Sequence, residues 1–526
     1  MIGAFDAAMP CAKLGFVSAD RPTPPAIGTQ PVAEPTAELT AKPSDESGEP
    51  AELAGPSLTS ADLVRLTGGR LLRASERPVR GAAVDSRLVG PGELFVALPG
   101  ERTDGHRFLT DAVEAGAAAL LVSRVPDPTT IAALGDVTII HVPDALVGLG
   151  AIATGWRARF DLLVVGVTGS IAKTSTKEAI AAVLGSTLTT VRSEGNRNNE
   201  VGLPLTLMRL GPEHRAAVLE MGMYVGGEIA DLARMARPRI GVVTAVQGVH
   251  LSRIGSLSAI ERAKAELVEA LPSDGVAVLN QDDRRVRRMA DRTAARILTY
   301  GFAADADVTA TDIASAGFGG MRFSLRLPPG GHGGRPIRLA AAIPGLGRLS
   351  VHNALAAAAV GHAAGLTPQA IVEALAGGWS APHRGQLVRL GRVTLIDDSY
   401  NASPATMTAA LDMLAGLPGR RVAVLGEMLE LGQAAASGHL EVGRAAAATS
   451  DLLIVVGPAA AGIAKGARDA GLDPARVLEV RDREAALDAL RARLRDGDVV
   501  LVKASRGVEL DVLVDALKVE RRMAAR

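Results

Sequence analysis

The feature that most limits the possible fold is a short loop between an apolar strand and a helix. Residues 162–167 predict a buried strand, residues 173–184 have a helical pattern, and the connection reads Gly166-Val-Thr-Gly-Ser-Ile-Ala-Lys-Thr174. Successive backbone N–H groups of such a loop can bind phosphate oxygens, and the helix N-terminus adds partial positive charge. The segment therefore predicts an α/β fold with a phosphate site at the carboxyl end of a parallel strand.

This loop departs from the strict eight-position phosphate-loop motif. Val167 and Ala172 stand at its two glycine positions, whereas Lys173 and Thr174 keep its last two. In the motif the lysine bridges the β- and γ-phosphates and the hydroxyl binds Mg²⁺. The alternative is a tight strand-to-helix turn whose lysine is merely exposed, so the interpretation needs support from other residues.

Support comes from an acid and a histidine that follow later predicted strands. Glu220 ends the strand at 217–219, and His250 follows the strand at 240–244. Side chains at the carboxyl ends of parallel strands face the ligand crevice, where a carboxylate and an imidazole could hold a divalent ion over the phosphates. Taken singly, Glu220 would be a surface acid and His250 a loop histidine bonded to backbone. Together with the loop they favour a metal site.

Composition narrows the class of protein. The chain has 526 residues, too many for one core, and Lys+Arg and Asp+Glu both number 57, which leaves no basic field for nucleic acid. The single cysteine, Cys11, excludes an intramolecular disulfide and a cysteine-based metal cluster. No apolar run reaches the ~20 residues that span a bilayer. We expect a cytoplasmic protein that binds neither nucleic acid nor membrane.

The chain divides into a tail and three predicted domains. Residues 1–57 are rich in Pro and Ala and predict a disordered tail, without the basic start of an export signal. Alternating strand and helix patterns then predict α/β domains over 58–156, 157–385 and 386–526. Residues 302–345 are glycine-rich and predict a small antiparallel addition.

Most predicted elements are short apolar strands separated by helices. The predicted strands lie at residues 81–84, 94–98, 118–123, 162–167, 217–219, 240–244, 276–279, 393–397, 421–425, 452–456, 477–480 and 499–502. The predicted helices include 108–116, 173–184, 354–364, 404–417 and 438–448.

Several longer motifs stand in one order across the three domains. They are Val84-Asp-Ser-Arg87, Pro91-Gly-Glu-Leu-Phe-Val-Ala-Leu-Pro-Gly-Glu-Arg-Thr-Asp-Gly-His106, Thr168-Gly-Ser-Ile-Ala-Lys-Thr174, Gly195-Asn-Arg-Asn-Asn-Glu-Val-Gly-Leu-Pro204, Asp397-Asp-Ser-Tyr-Asn-Ala-Ser-Pro404, Gly426-Glu-Met-Leu-Glu-Leu-Gly432 and Lys503-Ala-Ser-Arg506. In this order they resemble the Mur ligases of bacterial cell-wall synthesis. The resemblance implies a UDP-substrate-binding domain, a central ATP-binding domain with a P-loop-type, mainly parallel sheet, and a Rossmann-like C-terminal ligase domain.

The resemblance also implies a role for individual residues. It assigns ATP to Gly169, Ser170, Ile171, Ala172, Lys173, Thr174, Ser175, Asn353, Arg384 and Asp398. It assigns the UDP-linked and peptide substrates to Asp85, Ser86, Arg87, Asn196, Asn199, Tyr400 and Asn401. It assigns magnesium to Thr174, Glu220, His250 and Lys264, and catalysis to Lys173, Lys264 and His250.

Lys264 matches a lysine that members of the family carbamylate with CO₂. Carbamylation would turn a cation into an anion that can join the metal cluster. The alternative is an ordinary lysine on a helix surface, paired with Glu261 three residues before it.

The implied reaction is ATP-driven amide formation through an acyl phosphate, carried out by a monomer with Mg²⁺. The stretches at 397–402 and 426–432 are most similar to members that add D-alanyl-D-alanine to UDP-MurNAc-tripeptide, with diaminopimelate or lysine as the third residue. Three departures from the family pattern are Ala172, Leu349-Ser350 just before the predicted helix at 354–364, and Ala504. They keep open the alternative of a catalytically weakened nucleotide-binding paralogue. A sister ligase that adds another amino acid is a second alternative, which does not depend on these departures.

Overall fold

The computed structural model describes residues 56–100, 103–248, 255–329 and 334–524. Its contacts divide the chain into two compact units, one running through Phe160 with Leu207–Glu213, the other containing Asp161–Thr206 and everything from His214 onward. Apart from its last two positions, the predicted tail lies outside the described residues. Within the described ranges, no helix combines the length and the apolar character needed to cross a bilayer.

The first unit is built on a five-stranded sheet. Its strands are β1 Arg70–Arg73, β2 Ala82–Ala83, β3 Leu94–Val96, β4 Ala119–Val122 and β5 Thr138–His141, in the order β1-β5-β4-β3-β2. Only β1 runs antiparallel, against β5. Phe95, Leu120 and Ile139 face one another across β3, β4 and β5 and are fully buried. The helices are α1 Ser60–Thr67, α2 Leu109–Glu114, α3 Pro128–Ala133 and α4 Ala145–Arg157.

The second unit begins with a nine-stranded sheet. Its strands are β6 Leu163–Thr168, β7 Thr190–Arg192, β8 Ala216–Glu220, β9 Ile240–Val243, β10 Val276–Asn280, β11 Arg296–Gly301, β12 Val308–Ser315, β13 Met321–Leu327 and β14 Ile337–Ile343. The order β14-β13-β12-β11-β10-β9-β6-β8-β7 places β6 between β8 and β9. The strands from β12 to β14 pair antiparallel, which confirms the predicted antiparallel addition.

Helices cover this parallel sheet. They are α5 Lys173–Gly185, α6 Gly202–Leu207, α7 Glu228–Ala236, α8 Leu257–Glu269, α9 Arg284–Arg287, α10 Gly347–Ala363 and α11 Pro368–Gly377. Val165 on β6 pairs with Val218 on one side and Ile240 on the other, and all three side chains are buried. Such continuous apolar strands are typical of a parallel sheet that is covered on both faces.

A six-stranded sheet completes the second unit. Its strands are β15 Gln386–Leu390, β16 Val393–Asp397, β17 Arg420–Gly426, β18 Leu452–Val456, β19 Val477–Val480 and β20 Asp498–Lys503, in the order β15-β16-β20-β17-β18-β19. All pairs are parallel except β15 with β16. The helices are α12 Pro404–Ala415, α13 Ala435–Thr449, α14 Ala461–Asp469, α15 Arg483–Arg493 and α16 Leu510–Ala524. The three sheets confirm the predicted α/β fold.

One element differs clearly from the sequence prediction. Helix α10 begins at Gly347, not at Ala354, so Leu349 and Ser350 lie inside the helix and not before it. The Ser350 hydroxyl donates to the carbonyl of Leu346 at 2.7 Å, which satisfies a polar side chain that would otherwise disfavour the first turn. The domain boundaries at 156 and 385 stay predictions. The first unit extends to Phe160, and β15 begins at Gln386.

Helices α13 and α14 pack closely through glycine, which generates a prediction for stability. A Cβ atom at Gly443 would lie 2.1 Å from the Ile463 carbonyl oxygen, whereas one at Gly185 on α5 would meet no atom within 4 Å. We expect Gly443→Ala to lower the free energy of unfolding by about 1–3 kcal/mol through overpacking. Gly185→Ala, the matched control, should be neutral or raise it by up to about 1 kcal/mol. Denaturant titration measures both, and equal stabilities would contradict the close packing.

Candidate active site

The predicted phosphate loop follows β6, which lies between β8 and β9 in the nine-stranded sheet. Strand β6 ends at Thr168 and helix α5 begins at Lys173. Val167 pairs with Glu220 on β8, and Thr168 pairs with Val243 on β9. The loop therefore leaves the sheet between two neighbouring strands whose carboxyl ends flank it. Ligands of open α/β sheets bind at this kind of position.

The loop is attached to the segment that follows β9. Gly169 has φ 149°, and a Cβ atom there would lie 1.8 Å from the Thr244 hydroxyl oxygen. The Thr244 hydroxyl donates to the carbonyl of Ile171 at 2.6 Å. The Ser170 hydroxyl donates to the Gln247 carbonyl at 3.0 Å and accepts from the Gln247 N–H at 2.9 Å. The loop is therefore held by side-chain bonds as well as by its own turn, and sequence reasoning gave Thr244 no role.

Ala172 takes a left-handed backbone conformation at the start of α5. Its φ is 63° and its ψ is 2°. Alanine is strained in this conformation, because a Cβ atom in the left-handed region costs about 1–2 kcal/mol. The helix nevertheless begins at Lys173, so the strain does not displace it.

Glu220 is the centre of a buried hydrogen-bond cluster. It is 2% exposed, so the surface-acid alternative is wrong. One carboxylate oxygen accepts from the Thr174 hydroxyl at 2.8 Å, and the other accepts from the Asn198 amide at 2.9 Å. The Glu220 N–H donates to the Ser193 hydroxyl oxygen at 3.1 Å. Asn198 lies within the predicted stretch at 195–204, but the sequence pointed to its neighbours Asn196 and Asn199 instead.

Two lysines lie close to this carboxylate. Burial lowers the pKa of Lys173, although the charge of Glu220 partly opposes the shift, and Arg384 adds to the lowering. Burial lowers the pKa of Lys264 far more, and the neighbouring Lys173 charge lowers it further. Lys264 is 3% exposed and has no hydrogen-bond partner among the described residues. An amine of this kind is more nucleophilic than a solvated lysine because more of it is neutral at a given pH.

The alternative interpretation of Lys264 as a surface lysine is wrong. Its proposed partner Glu261 instead pairs with Arg285 at 2.9 Å and with Arg288 at 3.1 Å. Lys264 projects from the buried side of α8 toward the site, whereas Glu261 lies at the side of the same helix that meets α9.

The donors in this cluster fit a hard divalent cation such as Mg²⁺. A carboxylate and a hydroxyl, from Glu220 and Thr174, are oxygen ligands of the preferred kind. His250 lies outside the described residues. Within the ranges that are described, no three His, Cys, Asp or Glu side chains form a complete ligand cluster.

Helix α10 places Asn353 beside α5. Asn353 is buried, and its side-chain oxygen accepts from the Thr176 hydroxyl at 3.1 Å. Asn199 caps the turn into α6, because its side-chain oxygen accepts from the Gly202 N–H at 2.9 Å. The assignments of Asn353 to ATP and of Asn196, Asn199 and Ser175 to ligands stay predictions.

The C-terminal domain brings a second group of predicted residues together. Asp398 follows β16 and pairs with the Lys503 ammonium at 2.7 Å, and the same ammonium donates to the Asn401 carbonyl at 2.9 Å. The guanidinium carbons of Arg384 and Arg506 lie 4.0 Å and 5.0 Å from the centroid of the Tyr400 ring. Because Arg384 also affects the Lys173 pKa, it connects this group to the phosphate loop. Lys503 belongs to a motif quoted above, yet its role was missed.

In the first unit, the predicted substrate residues form a compact turn. Asp85 accepts from the Arg87 N–H at 3.0 Å and pairs with the Arg87 guanidinium at 2.7 Å, while Ser86 is buried. Hydrogen bonding to Arg87 lowers the pKa of Asp85. Their assignment to substrate stays a prediction.

Comparison with known proteins finds the same family along most of the chain. Family models match at residues 78–157 (Mur ligase family, catalytic domain), 167–361 (Mur ligase middle domain) and 383–506 (Mur ligase, glutamate ligase domain). The chain is 38% identical over 512 residues to the UDP-N-acetylmuramoyl-tripeptide–D-alanyl-D-alanine ligase of Mycobacterium leprae, covering 88% of this chain and 98% of the relative. It is 36% identical over 469 residues to the ligase of the same name from Escherichia coli, with 88% and 98% covered.

Solved structures are similar over the same length. MurF from Acinetobacter baumannii superposes with a TM-score of 0.78 at 28% identity, covering 88% of this chain and 99% of that one. MurF ligase from Thermotoga maritima in complex with ADP gives a TM-score of 0.72 at 27% identity, covering 85% and 99%.

The left-handed conformation of Ala172 generates a prediction. We expect Ala172→Gly to raise the free energy of unfolding by about 1 kcal/mol, because glycine adopts this conformation without the Cβ penalty. Denaturant titration measures the gain. Since helix α5 already begins at Lys173, we expect little change in nucleotide affinity. A large gain in turnover would instead show that the alanine is a catalytic defect.

His383 and Asp397 generate a pH prediction. The His383 Nδ1 lies 2.9 Å from Asp397, and hydrogen bonding to that carboxylate raises the pKa of His383. A raised pKa means that the protonated pair stabilises the fold fully below the unfolded histidine pKa of about 6.5 and loses this contribution as pH rises through the folded value. We expect wild type to lose more stability than His383→Asn between pH 5.5 and pH 9, as measured by denaturant titration. Parallel pH profiles would contradict the coupling.

Proposed function

This chain belongs to the Mur ligase family, and we propose that it joins D-alanyl-D-alanine to UDP-N-acetylmuramoyl-tripeptide at the expense of ATP. The observation that carries the proposal is the Thr174–Glu220 hydrogen bond at 2.8 Å, beside a phosphate loop that ends in Lys173. Relatives named UDP-N-acetylmuramoyl-tripeptide–D-alanyl-D-alanine ligase match this chain along almost their whole length, and the match covers 98% of the Mycobacterium leprae ligase. The family and the fold predicted from sequence are confirmed.

The proposed reaction has two steps. The terminal carboxylate of the tripeptide attacks the γ-phosphorus of ATP, forming an acyl phosphate and releasing ADP. The amine of D-alanyl-D-alanine then attacks the acyl carbon, phosphate leaves with the electrons of the C–O bond, and the nitrogen releases one proton to that phosphate or to water. Both steps gather negative charge at the phosphoryl group, so positioned cations matter more than a strong acid or base. Lys173 and the loop N–H groups are the proposed donors to that group.

Magnesium is the proposed cation, held by Glu220 and Thr174, with His250 as a further proposed ligand. When bound, Mg²⁺ neutralises charge on the phosphate oxygens. The two lysines near Glu220 would repel a metal ion while both are protonated. The strongly lowered pKa of Lys264 favours its neutral amine, which can add CO₂. We therefore include a carbamate on Lys264 in the proposal, since it would replace a cation by an anion beside Glu220.

The C-terminal domain is proposed to bind ATP and to exclude water. The Arg384 guanidinium lies over the Tyr400 ring, and its charge contributes to the lowered pKa of Lys173, so we propose that it also binds nucleotide phosphate. Asp398 and Asn401 are held by Lys503, which fixes the loop that follows β16. Enclosing the acyl phosphate would protect it from hydrolysis. ATP and a UDP-linked substrate are metabolites of the cytoplasm, where we propose that the protein acts, as a monomer.

The weakened-paralogue alternative is less well supported than the ligase. Ala504, one of the departures, is fully buried and lies against Gly426, where an added Cβ atom would come within 2.7 Å of the Ala504 side chain. The methyl group at 504 therefore occupies space that glycine at 426 leaves. The chain also keeps the residues that the resemblance assigns to phosphate and magnesium, namely Lys173, Thr174, Glu220 and Lys264.

A component-omission assay tests the proposed reaction. ADP release should require UDP-MurNAc-tripeptide and Mg²⁺ and should be fastest when D-alanyl-D-alanine is also present, and degassed buffer should slow it if the carbamate forms. Lys173→Met should lower turnover at least about 100-fold, because a charge that binds the transferring phosphate is lost. Lys465→Met, which removes an exposed lysine paired with Asp469 on α14, is the matched control. Faster ADP release with another amino acid than with D-alanyl-D-alanine would favour the sister-ligase alternative.

A further inference from the structure

Lys177 is a fully buried lysine that the proposed reaction does not use. It lies one helical turn after Lys173 on α5, and its side chain has no exposed surface. Removing an ammonium group from water is strongly unfavourable unless partners compensate for the lost hydration. A lysine at this position therefore needs specific contacts.

Its partners lie on two sides. The ammonium donates to the Ser193 carbonyl at 2.5 Å and pairs with the Glu178 carboxylate at 2.8 Å. Glu178 also pairs with Arg192 at 2.6 Å, and the Arg192 side chain is about half exposed. On the side of Glu178, the contacts extend to the half-exposed Arg192 and so to solvent. We call this the outer contact, and we call the hydrogen bond to Ser193, which is completely buried, the inner contact.

The inner contact leads directly to Glu220. Ser193 follows β7, and its hydroxyl accepts from the Glu220 N–H at 3.1 Å. Its own N–H donates to the Val218 carbonyl at 3.1 Å, which extends the ladder between β7 and β8. A few residues later, Asn198 donates to the Glu220 carboxylate at 2.9 Å. The segment from 193 to 198 thus bonds both the backbone and the side chain of Glu220.

We propose that Lys177 is a positioning residue that sets the position of the segment 193–198, and through it the orientation of the Glu220 carboxylate toward magnesium-bound nucleotide. This inference rests on the proposed function. Helix α5 then controls Glu220 from two points: Thr174 bonds the carboxylate directly, and Lys177 bonds the segment behind it. A buried apolar side chain could fill the same space, but it would leave the Ser193 carbonyl without its donor.

The test measures ADP affinity as a function of Mg²⁺ concentration by isothermal titration calorimetry. Lys177→Met keeps most of the side-chain volume and removes the donor. We expect the Mg²⁺ concentration needed for half-maximal ADP affinity to rise at least about tenfold, as is typical when a group that orients a metal ligand is lost. Lys177→Arg, which can still donate to Ser193, should recover part of the shift. The readout needs no acceptor substrate, so it stays informative if the proposed ligase reaction fails.

Two further variants separate positioning from simple stability. Ser193→Ala removes the hydroxyl that accepts from Glu220 while leaving the carbonyl, and should shift the Mg²⁺ dependence in the same direction. Combining it with Lys177→Met should give less than the sum of the two shifts, because both act through one contact chain. If Lys177→Met does not fold, Ser193→Ala still tests the link between the segment 193–198 and Glu220 on which the proposal depends, and an unchanged Mg²⁺ dependence would overturn the proposal.

Arg192→Gln is the matched control within the same ion-pair cluster. It removes the exposed partner of Glu178 and leaves the Lys177–Ser193 contact in place. We expect its Mg²⁺ dependence to equal that of wild type. An equal shift in Arg192→Gln and Lys177→Met would show that the cluster acts through general charge or stability, and the proposed positioning role would be wrong.

Discussion

The hydrogen bond between Thr174 and Glu220 is the contact on which the candidate site depends. It joins the first turn of α5 to the last residue of β8 across the loop that leaves β6. Because Glu220 is buried, its carboxylate would be costly without partners, and Asn198 supplies the other one. A carboxylate that is bonded at both oxygens has a defined orientation, which is what a metal ligand beside a phosphate site requires.

The phosphate loop tolerates its unusual alanine because other groups hold it. Ala172 adopts a left-handed conformation that favours glycine, yet Thr244 bonds the carbonyl just before it and Ser170 bonds Gln247 on the segment after β9. Backbone strain of this kind persists where surrounding contacts determine the local structure. The strain lowers the free energy of unfolding. It does not prevent α5 from beginning at Lys173, so Lys173 and Thr174 lie in the first turn of the helix.

The side chains around this loop include more cationic than anionic groups, and the proposed chemistry depends on this excess of positive charge. The charge of Arg384 contributes to the lowered pKa of Lys173, the charge of Lys173 contributes to the lowered pKa of Lys264, and Glu220 opposes both shifts. Nucleotide phosphates would supply the missing negative charge. Arg384, at the junction into the C-terminal domain, and Tyr400 contribute to the same region, while Lys503 fixes the adjacent loop.

Sequence alone determined the architecture, since apolar strands alternating with helices leave few ways to bury both faces of a parallel sheet. It also placed Glu220 at the end of a strand beside the loop, because carboxyl ends of parallel strands meet at one edge. Only the tertiary structure decided that Lys264 is buried, that Ala172 is left-handed, and that Asn198, not its neighbours, bonds Glu220. These properties arise where residues that are separated in the chain meet, as Asn198 meets Glu220 and Thr244 meets Ile171, and no local pattern records such contacts.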